Sequence, residues 1–405
     1  MDDLQSTSRD FPKQSWSHDH FIRENGSLQR NTTFSLDNYT LHHAQYSDSM
    51  KFLVDFIYVL DEFGVPTLLT VGVIFNLILS ITIRNSELKK VAACCYFFSI
   101  GIVDTLYLIA MAIPWVSIRV VDIYNTEGFC QIVYYLNLLT TFLSSWFIVM
   151  LLIERLCFCY RPDTAEKYLN AFRTKCYITV ISVFSVVGHL YHTWTSGVYD
   201  IQGTNICMLI YEHTKDIMIM RKIDTILAFI LPVALCLFFI LPLLTFLCAS
   251  NMKCNDGTLT VKTRMVTLEV KLNSKKMAKY TECPSCSSAA NYDKLLRKRL
   301  RMVSQSKRLT LVSVIVALVY AFLFIPHSVI KSRVTFLNGD YHVTFEDALF
   351  LKLFEELFKI NFAYKALVYF TLLPEMRKNL IKAFIPSCKK KKTFEYEQKS
   401  LETQL

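Results

Sequence analysis

Seven long apolar segments alternate with polar or charged segments along the sequence. A helix needs about 20 mostly apolar residues to cross a bilayer, where it satisfies its own backbone hydrogen bonds. The fourth segment is the weakest of the seven, and the seventh is unusually rich in charged residues. The pattern predicts an all-α membrane protein with a seven-transmembrane helix bundle, whose helices cover about residues 63–83, 93–117, 130–154, 176–194, 223–249, 309–330 and 348–373.

The polar segments divide the rest of the chain. A polar tail is expected over residues 1–55 and a membrane domain over 56–388, which includes a long basic loop at 250–308. After the seventh segment, PEMRKNLIKAFIPSC has the alternation of a short amphipathic helix that lies in the membrane interface. Residues 389–405 form the remaining tail.

The amino-terminal tail carries no apolar stretch of the kind found in signal peptides, so the first apolar segment is expected to act as the insertion signal. Its composition is typical of disordered chain. Three Asn-x-Ser/Thr sequons begin at Asn25, Asn31 and Asn38. They predict a glycosylated extracellular tail, although such sequons also arise by coincidence in a segment rich in Asn, Ser and Thr.

Composition and charge strengthen the membrane interpretation. The chain is 53% hydrophobic and 19% charged, with a mean hydropathy of +0.32, whereas soluble domains average about 25% charged residues. Most of its 44 lysines and arginines lie on one side of the predicted bundle. Because such residues favour the cytoplasm, we expect a multi-pass plasma-membrane protein with an extracellular amino terminus and a cytoplasmic carboxyl terminus. No basic stripe with interleaved aromatic residues indicates nucleic-acid binding.

Signatures of catalysis and of metal binding are missing from the sequence. No nucleophile–base pair or phosphate-binding loop suggests an enzyme, and no cofactor is expected. The thirteen cysteines are scattered, and the lone Cys-x-x-Cys at 283–286 lacks a second pair of zinc ligands. Only Cys130 and Cys207 fall where an oxidising exterior would reach them.

Polar residues inside the apolar segments carry more specific information. Asn76, Asp104 and Ser144 should face the bundle interior and meet one another, because polar groups exposed to lipid are costly. Glu154 and Arg155 end the third segment abruptly. The pair has an ordinary interpretation, as a helix-end ion pair at the membrane surface.

The order and spacing of these residues resemble the rhodopsin-like (class A) G-protein-coupled receptors over about residues 60–388. GVIFN, which ends at Asn76, resembles the Gly-x-x-x-Asn of the family's first helix, and Asp104 resembles its second-helix aspartate. Glu154-Arg155-Leu156 resembles the Asp/Glu-Arg-Tyr triplet. The family's helix-bend prolines and seventh-helix tyrosine correspond to Pro232, Pro326 and Tyr369.

The resemblance implies a receptor that passes the signal of an extracellular ligand to heterotrimeric G proteins, with arrestin as a further partner. It implies a disulfide between Cys130 and Cys207 and a coupling switch. The switch residues would be Glu154, Arg155 and Tyr369, and the intramembrane polar network would comprise Asn76, Asp104, Ser144, Asn361 and Lys365.

The seventh segment departs from the family pattern. Lys365-Ala366 stands where Asn-Pro is expected, and the loss of proline predicts a straighter helix there. In the family, the second-helix aspartate helps to hold a sodium ion. Here the Lys365 ammonium is placed to pair with Asp104, which predicts a receptor insensitive to sodium, unless the lysine extends elsewhere.

The outer halves of the helices are expected to form the ligand pocket. Asn137 occupies the position at which amine receptors carry an aspartate, so an amine ligand is not expected. Mixed charges, amides and aromatic residues instead favour a neuropeptide. Glu355 and Lys359 are also spaced to satisfy each other along one helix. The predicted pocket residues are Asn137, Thr141, His327, Lys331, Glu355 and Lys359.

Two alternatives to a peptide receptor remain open. Lys359 lies at the spacing from Tyr369 at which opsins carry their retinal-linked lysine, so a retinal-binding photoreceptor is the first. A transporter or channel is the second, but transporters often contain two related halves, and no internal repeat is visible here.

The carboxyl-terminal tail carries two further signals. Cys388, beside four lysines, suits palmitoylation and binding to the bilayer, or remains an unmodified thiol. Thr403 and Leu405 fit a ligand for a PDZ domain, which captures a free carboxyl terminus by strand addition, although so short a match also arises by chance.

Overall fold

The computed structural model describes residues 48–249 except 202 and 210–213, together with residues 287–336 and 345–384. It also describes five short strands, β1 (Ser15–Trp16), β2 (Phe34–Ser35), β5 (Asn251–Asn255), β6 (Thr258–Lys262) and β7 (Thr267–Glu269). The three sequons, Cys388, and the predicted PDZ ligand lie outside the described residues and stay predictions.

Helices make up most of the described chain. In chain order they are α1 (Asp48–Val59), α2 (Val65–Arg84), α3 (Ala92–Arg119), α4 (Phe129–Tyr160), α5 (Pro162–Tyr168), α6 (Ala171–His189), α7 (His192–Thr195), α8 (Thr214–Asp224), α9 (Leu231–Ala249), α10 (Ser287–Phe336), α11 (Phe345–Lys359), α12 (Tyr364–Leu372) and α13 (Pro374–Phe384).

Six helices in the described part of the chain are long and apolar enough to cross a membrane. They correspond to the first six apolar segments of the sequence, and many large apolar side chains on their outer faces are exposed. The predicted seventh segment is not among them, because it is divided into α11 and α12 and is rich in charged residues. The six candidate spans are Met50–Arg84, Ala92–Arg119, Phe129–Tyr160, Ala171–Thr195, Met218–Cys248 and Gln305–Arg333.

The first span begins earlier than the sequence predicted. Helix α1 starts at Asp48, inside the predicted tail, and continues through a π-helical turn, Leu60–Gly64, into α2. A π-turn inserts one extra residue into a helix and often marks a functional position. A second π-turn, Thr225–Ile230, joins α8 to α9 in the fifth span.

The prediction of a straight seventh segment is wrong. A 3₁₀ turn, Ile360–Phe362, and the non-helical backbone of Ala363 separate α11 from α12. The break frees the carbonyl group of Phe362 from the helical ladder. The Asn76 side-chain amide on α2 donates a hydrogen bond of 2.8 Å to that carbonyl. A polar side chain from another helix therefore stabilises a break that no proline causes.

Helix α3 packs against both α2 and α4 and forms the centre of the buried core. Gly72 on α2 allows the break in the seventh segment to approach closely. A Cβ atom at this position would lie 2.6 Å from a Leu108 methyl carbon and 2.9 Å from the Ala363 Cβ atom. The glycine of the GVIFN motif is thus required by helix packing.

The described part of the long polar segment before the sixth span contains three strands and the start of a helix. Strands β5, β6 and β7 form an antiparallel sheet, which the sequence interpretation as a loop missed. From Ser287 the chain is helical without interruption to Phe336, over 50 residues. At the rise of an α-helix this is about 75 Å, so α10 is far longer than a membrane crossing requires.

An ion cluster joins the first two spans at the π-turn of the first. The Arg119 guanidinium lies 2.7 Å from the Asp61 carboxylate, 2.8 Å from that of Glu62, and 4.5 Å from the centroid of the Trp115 ring. The Trp115 indole donates a hydrogen bond of 3.1 Å to the backbone carbonyl of Asp61. Because Asp61 is buried, the cluster holds the π-turn against α3.

Replacing the cluster's cation tests its contribution to stability. Arg119→Met is expected to lower the free energy of unfolding by about 1–3 kcal/mol, because the Asp61 carboxylate loses a partner. Thermal unfolding of the purified protein measures the change. Lys90→Met is the matched control, because it removes a fully exposed ion pair with Glu87 and should leave the melting temperature unchanged. Equal effects of the two variants would contradict the prediction.

Candidate functional site

Cys130 and Cys207 form a disulfide bond. Cys130 lies in the first turn of α4. Cys207 lies in β4 (Thr204–Leu209), which pairs antiparallel with β3 (Ser196–Ile201). The tight turn of this hairpin includes Gly203 at φ +83°, a backbone conformation that favours glycine. The disulfide therefore fixes the hairpin over one end of the bundle.

Loss of this disulfide is expected to destabilise the protein. The bond closes a loop between cysteines 77 residues apart, and removing such a cross-link typically costs about 2–5 kcal/mol. The double variant Cys130→Ala/Cys207→Ala should show this loss in thermal unfolding and reach the cell surface less well. Cys176→Ala, which removes an exposed free cysteine, is the control. A double variant as stable as the control would contradict the expectation.

At the opposite end of α4, Glu154 and Arg155 form a buried ion pair. The guanidinium also lies over the Phe158 ring, 4.8 Å from its centroid. Among the described residues, neither Arg155 Nε nor Glu154 Oε2 has a hydrogen-bond partner. A hydrogen bond joins the two side chains, and each keeps one polar atom to which an incoming group could bind.

Tyr369, the third predicted switch residue, lies in a different environment. Its ring stacks on Phe97 with centroids 4.1 Å apart. Its hydroxyl is buried and has no hydrogen-bond partner within the described chain. The structure brings Glu154 and Arg155 together but joins Tyr369 to α3 through stacking alone.

A buried polar cluster lies between α3, α4 and α12. The Lys365 ammonium donates hydrogen bonds of 3.0 and 2.9 Å to the two carboxylate oxygens of Asp104 and one of 2.7 Å to the Ser144 hydroxyl. Ser144 in turn donates to Asp104 over 2.8 Å. All three side chains are almost completely excluded from solvent. The lysine charge thereby compensates the carboxylate charge inside the bundle.

The other two members of the predicted polar network lie outside this cluster. Asn76 binds the Phe362 carbonyl, as described above. Asn361 is buried, but neither its side-chain oxygen nor its nitrogen has a hydrogen-bond partner in the part of the chain that the structure describes. The structure places Asn361 in the 3₁₀ turn, apart from the hydrogen bonds that join Asp104, Ser144 and Lys365, and its role in the network stays a prediction.

A sodium ion does not fit among these residues. The oxygens of Asp104 and Ser144 that would coordinate it are hydrogen-bonded to the Lys365 ammonium, and a second cation would be repelled by the first. No metal-binding cluster of His, Cys, Asp or Glu occurs among the described residues.

Sodium should therefore leave the stability of the protein unchanged. A ligand that binds only the folded state raises its melting temperature, by an amount that grows with the ligand concentration relative to its dissociation constant. We expect equal melting temperatures in sodium chloride and in the chloride of N-methyl-D-glucamine at matched ionic strength. A rise in melting temperature with sodium concentration, absent with the organic cation, would show that the lysine does not exclude the ion.

Lys359 pairs with Glu356 rather than with Glu355, the partner that the helical spacing had offered as an alternative to a role in the pocket. The Lys359 ammonium donates hydrogen bonds of 2.8 Å to both carboxylate oxygens of Glu356, and Lys352 lies 2.8 Å from the same carboxylate. Glu356 is buried between these two lysines on adjacent turns of α11. A buried carboxylate requires such partners more than the partly exposed Glu355 does.

His327, another predicted pocket residue, is part of an aromatic cluster. Its ring stacks on Phe358 with centroids 4.5 Å apart and lies 5.6 Å from the ring of Phe229. Asn137 and Thr141 lie on α4; the Asn137 side-chain oxygen is buried without a hydrogen-bond partner in the described chain, and Thr141 is fully packed.

An open cavity lies instead between α4, α7, the fifth span and α10. Its polar and aromatic lining includes Tyr134, His192, Arg221, Asp224, Phe229 and Lys331. Only Lys331 was predicted as a pocket residue. Arg221 and Asp224 lie one turn apart where the fifth apolar segment begins, which is the signal that could have indicated them.

The cavity wall is held by polar contacts. Asp224 Oδ2 accepts hydrogen bonds from the Tyr191 hydroxyl and, over 2.9 Å, from His192 Nε2. The π-turn continues directly from Asp224, and the Trp146 indole donates to its Leu227 carbonyl over 3.0 Å. The π-turn thus positions Asp224 toward the end of the fourth span.

The fifth and sixth spans contain the two predicted bend prolines. Pro232 lies at the second residue of α9, immediately after the π-turn, and Pro326 lies inside α10. The sequence interpretation overlooked Pro242, another proline inside α9, whose carbonyl accepts a hydrogen bond of 3.0 Å from Tyr160.

Comparison with known proteins identifies one family. The sequence model described as 7 transmembrane receptor (rhodopsin family) matches residues 76–369, which is more than half of the chain. The match begins at Asn76 and ends at Tyr369. No curated protein matches the chain.

Proposed function

The chain belongs to the rhodopsin family of seven-transmembrane receptors, and from this we propose that it transmits an extracellular ligand signal across the plasma membrane to a heterotrimeric G protein. The observation that supports this proposal is the arrangement along α4. Near one end, α4 lines the open cavity and holds the hairpin through the disulfide, and at the other end it carries the buried Glu154–Arg155 pair. The bundle around α4 would have a resting and an active state. The ligand at one end and the G protein at the other would each shift the balance between these two states.

In this proposal the segment of α11 and α12 completes the bundle as the seventh crossing, and α13 lies in the inner membrane interface. The two buried charged clusters on this segment support a crossing, because each lysine is compensated by a carboxylate. The amino terminus is extracellular and the carboxyl terminus cytoplasmic, as the distribution of lysine and arginine favours.

We propose a peptide, of the neuropeptide class, as the ligand. The cavity combines aromatic, hydroxyl and charged side chains, which suit a ligand with both polar and apolar groups. Among the pocket residues predicted from the sequence, Lys331 is retained at the cavity itself. His327, Asn137 and Thr141 do not line the cavity and would support the residues that do.

The two alternatives have less support. A retinal link requires a lysine that is free to react, but Lys359 is hydrogen-bonded to both carboxylate oxygens of Glu356. A transporter would require a substrate path at mid-membrane, where the Asp104–Lys365 cluster is tightly packed. Arrestin and a PDZ protein remain proposed cytoplasmic partners.

A cell-based screen tests the proposed function. Cells that express the protein with a promiscuous G protein should raise intracellular calcium in response to at least one member of a neuropeptide library, whereas mock-transfected cells should not. Surface labelling confirms that the receptor is displayed. Silence across the library, together with visible absorbance after addition of 11-cis-retinal to the purified protein, would overturn the proposal.

A further inference from the structure

Helix α10 extends far beyond the two helices that pack beside its inner half. The Cys159 thiol of α4 lies 3.6 Å from the Thr310 hydroxyl of α10. The next residue, Tyr160, packs its ring against that of Phe246 on α9, with centroids 6.0 Å apart. These contacts mark one level along the three helices. Helix α4 ends at Tyr160 itself, and α9 ends at Ala249, about one turn after Phe246.

The part of α10 that precedes this level continues without α4 or α9 alongside it. It begins at Ser287 and is helical without interruption up to Thr310. At the rise of an α-helix this extension is about 35 Å long. It prolongs the sixth span away from the bilayer, on the side that the distribution of lysine and arginine predicts to be cytoplasmic. Its outer turns are therefore beyond the reach of the lipid chains.

The extension is amphipathic in the register of this helix. Successive residues of an α-helix are about 100° apart around its axis. On that basis apolar residues share one side, within an arc of about 160°: Tyr292, Leu295, Leu296, Leu300, Met302 and Val303. Basic residues occupy the opposite side, within an arc of about 100°: Lys294, Arg297, Lys298 and Arg301. Arg299 is the exception, since its position falls on the apolar side.

These two sides together favour a partner that supplies both apolar surface and negative charge. An apolar stripe of this width is typical of a helix that packs against another surface. Between Tyr292 and Val303 there are five basic residues and one acidic residue, so a second copy of the chain would bring like charge alongside. Anionic lipid headgroups lie at the other end of the extension. An acidic protein with an apolar groove meets both requirements.

We propose that the segment of α10 from Tyr292 to Val303 is a docking site for an acidic protein that encloses one amphipathic helix in an apolar groove. Calcium-loaded calmodulin binds helices in this way. Calcium opens its helix pairs and exposes a groove rich in methionine. The docking site goes beyond the proposed receptor function, because it requires neither an agonist nor a G protein. It makes the inner end of the sixth span responsive to calcium.

Calmodulin itself is the probe in the direct test. Fluorescently labelled calmodulin should bind the purified receptor in neutral phosphatidylcholine nanodiscs when calcium is present, and EGTA should release it. Leu296→Gln/Leu300→Gln should weaken binding about tenfold or more, because two apolar anchors are lost. Leu296→Met/Leu300→Met preserves apolar surface and should bind like the unmodified receptor. Ala290→Gln, on the basic side of the helix, is the matched control and should also bind normally. Equal melting temperatures show that the variants are folded.

The basic side is tested separately. Arg297→Gln/Arg301→Gln should weaken calmodulin binding and make it less sensitive to salt, because charges that attract the acidic partner are removed. An unchanged affinity and salt dependence in this variant would overturn the role of charge in the inference.

Several results would overturn the docking site as a whole. They are no binding in calcium, equal binding in calcium and in EGTA, and equal affinities of Leu296→Gln/Leu300→Gln and Ala290→Gln. Loss of binding when phosphatidylserine is added to the nanodiscs would assign the extension to the membrane instead. A receptor dimer that excludes calmodulin would assign it to a second copy of the chain. No agonist enters these measurements, so each of these failures leaves the proposed receptor function intact.

Discussion

Lys365→Met is expected to lower the free energy of unfolding by about 3–5 kcal/mol, because it leaves the Asp104 carboxylate buried without its cation. Lys365 donates to both oxygens of that carboxylate and to Ser144. No water can replace the ammonium easily, since both partners are almost fully buried. Thermal and chemical unfolding of the purified protein in detergent measure the loss.

The double variant Asp104→Asn/Lys365→Met isolates the charge from the packing. Removing both members of a buried pair is often close to neutral, so the double variant should recover most of the stability that either single variant loses. Lys378→Met, at an exposed position of α13, controls for loss of a lysine as such. Additive losses in the double variant would show that the two charges do not stabilise each other.

Glu154→Gln is expected to raise ligand-independent signalling about fivefold or more. The substitution keeps the shape of the side chain but removes the charge that holds Arg155, which favours the state in which the guanidinium is released. Coupling free energies of about 1–3 kcal/mol between two states correspond to population changes of about 5- to 150-fold. Basal accumulation of second messenger, normalised to surface expression, measures the change.

Arg155→Ala is expected to have the opposite effect on signalling. It removes the proposed contact with the G protein and leaves the Glu154 carboxylate buried alone, so signalling should be lost in parallel with stability. Arg161→Ala, just beyond the end of α4, should retain signalling. Unchanged basal activity in Glu154→Gln, at normal surface expression, would show that the ion pair is an ordinary helix-end contact.

The approach of Lys365 to Asp104 could be anticipated from the sequence. Both residues lie in apolar segments, where a lone charge is too costly to leave unpaired. The family resemblance placed them at facing positions on two helices. The existence of the helices followed from the length of the apolar segments alone, and the cysteine pair followed from its position on the side that the sequence predicts to be extracellular.

Other contacts could not be anticipated, because several partners were possible. Lys359 had two acidic neighbours at helical spacing, and the choice of Glu356 depends on which carboxylate is buried. The break before α12 depends on an amide from α2 that reaches the Phe362 carbonyl. The cavity depends on Asp224 meeting His192, and sequence spacing does not encode that meeting.

The sequence by itself indicated that this protein crosses a membrane and which side its basic segments favour. These properties follow from the lengths of the apolar segments and from the distribution of lysine and arginine. The resemblance to a known family added the expectation that Asp104, Ser144 and Lys365 lie together. The tertiary structure decided where the seventh segment breaks, which carboxylate each lysine binds, and where the open cavity lies. Those properties depend on distances between helices that are remote in sequence, and packing alone sets those distances.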